Sequence, residues 1–180
     1  LTTKGPDRIS PFLVPMMLPD TAASQVAIQF GLRGPNMAVV TACATGNNAL
    51  GEAFEIIRRD DADAILAGGV ESPLLPLTFA GFDQMGAMAS NSNDNPTCAL
   101  RPFDRDRSGF VMSEGAAIVV LEEREQAVRR GARIYAELVG YGQAADAYHV
   151  AAPDPSAQGA IRAMRLALKK AGLKPADVGY

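Results

Sequence analysis

Residues 39–54 read Val-Val-Thr-Ala-Cys-Ala-Thr-Gly-Asn-Asn-Ala-Leu-Gly-Glu-Ala-Phe. The run starts with β-branched residues, passes through small ones and then takes on the three-to-four-residue apolar spacing of a helix, with Leu50, Phe54 and Ile57 on one face. Arg58 and Arg59 suit the negative end of that helix, so one element is predicted from Cys43 to Arg59. A strand that turns into a helix at a cysteine puts the thiol beside the unpaired N–H groups of the first helical turn. Their partial positive charge favours thiolate over thiol. Ala42, Ala44 and Gly46 leave room for a carbonyl to approach, and backbone N–H groups there can hold a tetrahedral oxyanion. The spacing alone leaves a second reading open, a small apolar cysteine that only fills space.

Working outward, three runs read as strands covered on both faces: Met37–Thr41, Ala64–Gly68 and Ala116–Leu121. A fourth is expected at Arg133–Gly140. Helices are predicted at Glu122–Arg130, with acids in its first turn and Gly131 as its stop, and at Ser156–Ala171, closed by Gly172. Strands alternating with helices indicate an α/β fold. Residues Leu74–Pro102, rich in Gly, Asn, Ser and Met, read as a long, partly irregular excursion, the kind of loop that carries function. No short repeat, low-complexity tract or linker divides the chain.

The bulk numbers narrow the classes. With 180 residues, 48% hydrophobic and 21% charged, the chain has the balance of an ordinary globular domain. A net charge of −3 argues against nucleic-acid binding. No apolar run reaches the length of a membrane span, and Leu1-Thr2-Thr3-Lys4 has none of the zones of a secretory signal. Without an initiator Met, that start reads as a cut. Cys43 and Cys98 make no disulfide framework, which favours a cytoplasmic location, and with one His they are too few for a zinc site.

Four segments in order, TACATG (41–46), DADAILAGGVES (61–72), RPFDRDRSGFVMSEGAAIVVLEE (101–123) and RIYAELVGYGQAADAYH (133–149), resemble the elongating β-ketoacyl-acyl-carrier-protein synthases of the thiolase superfamily, above all the type II fatty-acid enzymes. The resemblance implies a thiolase-like αβαβα layered sandwich. Its N-terminal half would run to about Gly131, and residues 132–180 would open the second half of a single incomplete domain. It implies that Cys43 takes an acyl chain from the phosphopantetheine of acyl carrier protein, and that the carbanion of decarboxylated malonyl carrier protein attacks it. No free cofactor is implied. Relatives carry two catalytic histidines, the first expected just beyond Tyr180, so this stretch alone should not condense anything. Relatives also form homodimers through their central sheet, so an isolated chain is expected to expose an apolar face and aggregate.

The same resemblance places Phe82 at the gate of the acyl pocket and Leu13 in a pocket wall contributed across the dimer, where other members often have an aromatic residue. The plainer alternatives are a core aromatic and an ordinary apolar contact. Arg8 matches a basic position that meets the carrier protein, although Asp7 precedes it and Gly86 stands where some relatives have arginine. Arg101, Asp104, Arg107 and Glu114 are expected to form an ion network bracing the site. His149, which matches neither catalytic histidine, is expected to hydrogen-bond with Asp146 in a positioning role.

Two patterns are rejected. Residues 104–109 imitate a calcium loop, but Gly115 stands at its twelfth position in place of the required glutamate. Gly140-Tyr141-Gly142 imitates a dinucleotide turn, but Pro153 and Pro155 stand where a helix should open. Three functions stay in view: the fatty-acid synthase, a polyketide ketosynthase, and a non-catalytic chain-length partner, against which Cys43 itself argues. Biosynthetic thiolases are disfavoured by the RPFD and SEGA segments.

Overall fold

The computed structural model describes residues 5–180, so the reading of the first four residues falls outside it. The chain divides into two compact units, one formed by the chain up to Gly68 with Ile118–Tyr180, the other by Gly69–Ala117.

The first unit begins with a 3-10 turn at Pro6–Arg8, a short helix α1 (Leu13–Met17) and α2 (Thr21–Phe30), which packs against α1. A 3-10 turn at Ala42–Ala44 leads into α3 (Thr45–Arg58). Strand β1 (Ala64–Glu71) follows; α4 (Pro76–Gln84) lies in the second unit, and β2 is Gly115–Glu122. The Glu123 N–H, just past β2, donates to Asp63 O, just before β1, so the paired strands run antiparallel. The chain ends with α5 (Arg124–Arg129), α6 (Gln158–Ala171) and a 3-10 turn at Pro175–Asp177.

Local chemistry sets several boundaries. α5 starts two residues later than predicted because Glu122 closes β2 and the Glu123 carboxylate caps the helix, accepting from Glu125 N and Gln126 N at 2.9 and 2.7 Å. α6 stops at Gly172, which takes φ 70°, a left-handed conformation that costs glycine little. In α3 the buried positions are Gly51, Ala53 and Ile56, and the predicted face of Leu50, Phe54 and Ile57 is half-buried.

Two predicted strands are not strands here. Met37–Thr41 joins no ladder, and its last N–H bonds to the side chain of Thr45. Arg133–Gly140 also pairs with no strand; its end lies so close to α6 that a Cβ on Gly140 would overlap Ala167 O. Composition predicts extended chain, but pairing depends on tertiary neighbours. The excursion from Leu74 to Pro102 is more ordered than predicted, since it holds α4, opened by Pro76 in the first turn, and a 3-10 turn at Pro96–Cys98.

Burial also departs from expectation. Ile118, Val119 and Val120 of β2 keep 52%, 47% and 62% of their surface in water, so this strand is not covered on both faces. Phe12, Val14, Met16 and Met17 around α1 are exposed as well. Accessible surface totals 14327 Å², where a folded monomer of 18.9 kDa has roughly 8300 Å². Exposed apolar side chains such as these drive association. The 180-residue chain alone is expected to self-associate with rising concentration in sedimentation velocity and to bind a hydrophobic dye; a monodisperse monomer with one cooperative unfolding transition would contradict this.

Candidate functional site

Cys43 sits in the middle of the 3-10 turn that joins the 37–41 segment to α3, and its side chain is exposed. The residue before it, Ala42, has φ 50°, unusual for a residue with a Cβ and costing on the order of 1–3 kcal/mol. Two hydrogen bonds hold this elbow. Ala44 N donates to Thr41 O at 3.1 Å, and Thr41 N donates to Thr45 Oγ1 at 2.9 Å. The turn therefore presents an accessible thiol at the N-terminus of a 14-residue helix.

The helix behind the thiol is braced by the segment around Tyr141. A Cβ on Gly51 would overlap the Tyr141 ring, so only glycine lets ring and helix meet this closely. Asn48 Nδ2 and the Tyr141 hydroxyl both donate to Gln143 Oε1 at 3.2 Å. Burial pushes the Tyr141 phenol up, and the nearby charge of Glu52 adds to this. On the other side, a Cβ on Gly142 would overlap Ala163 O of α6. The glycines that imitate a dinucleotide turn thus serve close backbone packing. Lys170 of α6 completes the layer, bonding Glu55 of α3 at 2.7 Å with its ammonium 5.7 Å from the Tyr141 ring centroid. A cleft of about 890 Å³ opens beside the elbow, lined by Thr41, Ala44, Asn48, Leu50, Leu138, Tyr141 and Ala163 among others.

The remaining candidates fall elsewhere in the first unit. Asp146 is half-buried; its Oδ2 accepts from Asp154 N at 3.0 Å, and its Oδ1 fills the space a Cβ on Gly159 would need. His149 is exposed and does not bond Asp146. Its Nδ1 accepts instead from Ala151 N and Ala152 N at 3.1 and 3.0 Å, closing its own turn. Leu13 begins α1 and Arg8 ends the first 3-10 turn, both exposed.

In the second unit, Phe82 of α4 meets Phe110 edge-on, with ring centroids 5.1 Å apart. Among the described residues, Arg101, Asp104, Arg107 and Glu114 form no ion network with one another. Arg101 donates to Asp106 O, Arg107 donates to Asp104 O, and Asp104 Oδ1 accepts from Asp106 N. Glu114 Oε1 accepts from Ser72 Oγ and Leu74 N at 2.9 and 3.1 Å. These charged side chains stitch loops through backbone groups and a hydroxyl, partners that a charge pattern does not reveal.

The sequence and the fold around this elbow are similar to those of known proteins. The profile of the beta-ketoacyl synthase N-terminal domain matches residues 1–127, and that of the C-terminal domain matches residues 135–180. The chain belongs to the beta-ketoacyl synthase family. It is 53% identical over all its 180 residues to the 3-oxoacyl-[acyl-carrier-protein] synthase 2 of Staphylococcus aureus and 54% identical to that of Rhizobium meliloti (strain 1021). It spans 44% and 43% of the length of these two relatives. A ketosynthase solved in complex with its type II polyketide acyl-carrier protein and bound to the hexaketide superposes with a TM-score of 0.92 at 39% identity, over 97% of this chain and 43% of that one. A beta-ketoacyl synthase from Burkholderia phymatum STM815 gives 0.84 at 41% identity, over 91% of this chain and 39% of that one. The α/β fold is thus the thiolase-like fold of the ketosynthases.

Thr45, Gly51, Tyr141 and Gln143 did not stand out as site residues in the sequence. Gly51 carried a signal, since a glycine inside a helical pattern marks a close approach.

The Glu55 carboxyl is held below its usual range first by the hydrogen bond from Lys170, with Arg58 and Arg59 adding to it. Glu122 is lowered by Arg130, and Glu123 by the N–H groups it caps. Depressed carboxylates stabilise the fold above their unfolded pKa of about 4.3, and that stability is lost as pH falls through the folded value. The thermal midpoint of the intact protein is therefore expected to fall below about pH 4. Glu55→Gln should flatten that fall, and an unchanged slope would contradict the Lys170–Glu55 assignment.

Proposed function

We propose that the protein carrying this chain is a β-ketoacyl-acyl-carrier-protein synthase of fatty-acid elongation, with Cys43 as its acyl-carrying nucleophile. The observation that carries this reading is the exposed thiol on the strained elbow at the head of α3. The names of relatives similar over the whole chain support it.

In this mechanism the Cys43 thiolate attacks the thioester of an acyl-phosphopantetheine on acyl carrier protein, forming an acyl thioester on Sγ and releasing the carrier thiol. Malonyl carrier protein then loses carbon dioxide. The electron pair left on its α-carbon attacks the Cys43 thioester, forming a carbon–carbon bond and expelling the thiolate. The product is a β-ketoacyl carrier protein two carbons longer. Sulfur suits both steps, as a nucleophile during loading and a leaving group during condensation. No free cofactor is required, because the phosphopantetheine arrives with the carrier protein.

Phe82 would gate the acyl pocket and Leu13 would line it across a homodimer. Arg8 would contact the acidic carrier protein. Asp146, His149, Arg101, Asp104 and Glu114 would brace the site through their bonds to backbone groups. The reading includes a single domain with its internal boundary near Gly131, a cytoplasmic protein, and no nucleic-acid or membrane partner. No helix among the described residues is long and apolar enough to cross a membrane.

A second reading, a polyketide ketosynthase, keeps the same chemistry with another carrier protein; its specific support is the likeness to the hexaketide-bound ketosynthase. A chain-length partner subunit is the third reading, and it leaves Cys43 without a task.

Loading the intact protein from a radiolabelled fatty-acyl carrier protein tests the proposal. The parent should become labelled and Cys43→Ala should lose at least about a thousand-fold in loading rate, the scale on which a missing covalent nucleophile is felt. Unchanged loading would exclude Cys43.

A further inference from the structure

We infer that Thr45 is a positioning residue for the Cys43 thiol, acting through its hydroxyl on the backbone of Thr41; the inference rests on the proposed role of Cys43. The direction of the Cys43 thiol follows the backbone of the turn that carries it. That backbone is strained at Ala42, with φ 50°. Thr41, just before the strain, is held by both of its backbone polar groups: its carbonyl accepts from Ala44 N and its N–H donates to Thr45 Oγ1 at 2.9 Å. The two bonds enclose Cys43 in a closed loop of residues 41–45.

One of these bonds joins backbone to backbone and is common to any such turn. The other depends on a hydroxyl at position 45. Thr45 is the first residue of α3 and half-buried, so its side chain is anchored by the helix while it reaches back to the 37–41 segment. β-Branching restricts its χ1, which makes the clamp stiffer than serine would. Losing the hydroxyl would let the elbow relax toward ordinary φ values and swing the sulfur away from the line of attack. A nucleophile displaced by a fraction of an ångström loses rate without losing affinity for its substrate.

The test uses the intact protein and single-turnover acyl transfer from an acyl-phosphopantetheine thioester, with the acylated residue mapped by mass spectrometry. Thr45→Val keeps shape and β-branching and removes the hydroxyl. It is expected to lower the maximal acylation rate roughly ten-fold, the scale of one hydrogen bond, with half-saturation and the thermal midpoint close to the parent's. Thr45→Ser should restore most of the rate. If Thr45→Val acylates Cys43 at the parent's rate, or if Thr45→Ser is as slow as Thr45→Val, the positioning role is overturned while the role of Cys43 stands. If the parent itself is acylated elsewhere, the proposed function falls and this inference with it. Should Thr45→Val fail to fold, the Thr45→Ser to Thr45→Ala rate ratio decides instead: a ratio well above one supports the hydroxyl, and a ratio near one overturns its role.

Discussion

Between Val40 and Thr45 the main chain must abandon an extended course and enter a helix, and it does so by forcing Ala42 into a left-handed conformation. The chemistry of the site depends on that reversal. It leaves the Cys43 thiol exposed in this chain and puts it at the head of a helix, where partial positive charge collects. A residue with a Cβ adopts such a φ only when neighbours over-determine it. Here those neighbours are the carbonyl and N–H of Thr41, each bonded across the turn.

An elbow of this kind needs a helix that does not move. α3 is held by contacts that begin within two turns of the cysteine. Asn48 and Tyr141 share Gln143, Gly51 admits the Tyr141 ring, and Glu55 pairs with Lys170. α6 in turn accepts the glycines of the 140–142 segment at distances no larger residue could tolerate. Small residues fix the spacing, and two amides, one phenol and one ion pair fix the register. The exposed ion pair adds little by itself, since its charges are partly screened by water. Its value lies in joining two helices that share the same glycine-lined contact.

Much of this was legible in the sequence. The change from β-branched to small to helical spacing marked the elbow, and the apolar runs at Ala64 and Ala116 marked the two strands that do pair. The four ordered segments pointed to the same family as the profile matches. What failed to read were partnerships. Met37–Thr41 has strand composition, but whether it joins a ladder depends on residues distant in sequence. The charges of Arg101, Asp104, Arg107 and Glu114 suggested one another, yet each found backbone groups, which nearly every position offers, and Glu114 a serine hydroxyl as well. His149 and Asp146 failed as a pair for the same reason. The clamp on Thr41 is local, but a threonine after a cysteine carries no periodic signal.

In the proposed reaction the elbow would be a chemical device, because a thiol acting as both nucleophile and leaving group needs access, orientation and nearby N–H donors. The most direct measurement is a crystal structure of the intact protein trapped with an acyl-phosphopantetheine thioester in the absence of any malonyl donor. The account predicts continuous density from the Cys43 Sγ to the acyl carbonyl carbon, with the Thr41–Thr45 hydrogen bond intact beneath it. An acyl group on any other residue, Cys98 included, with Cys43 left free, would contradict it.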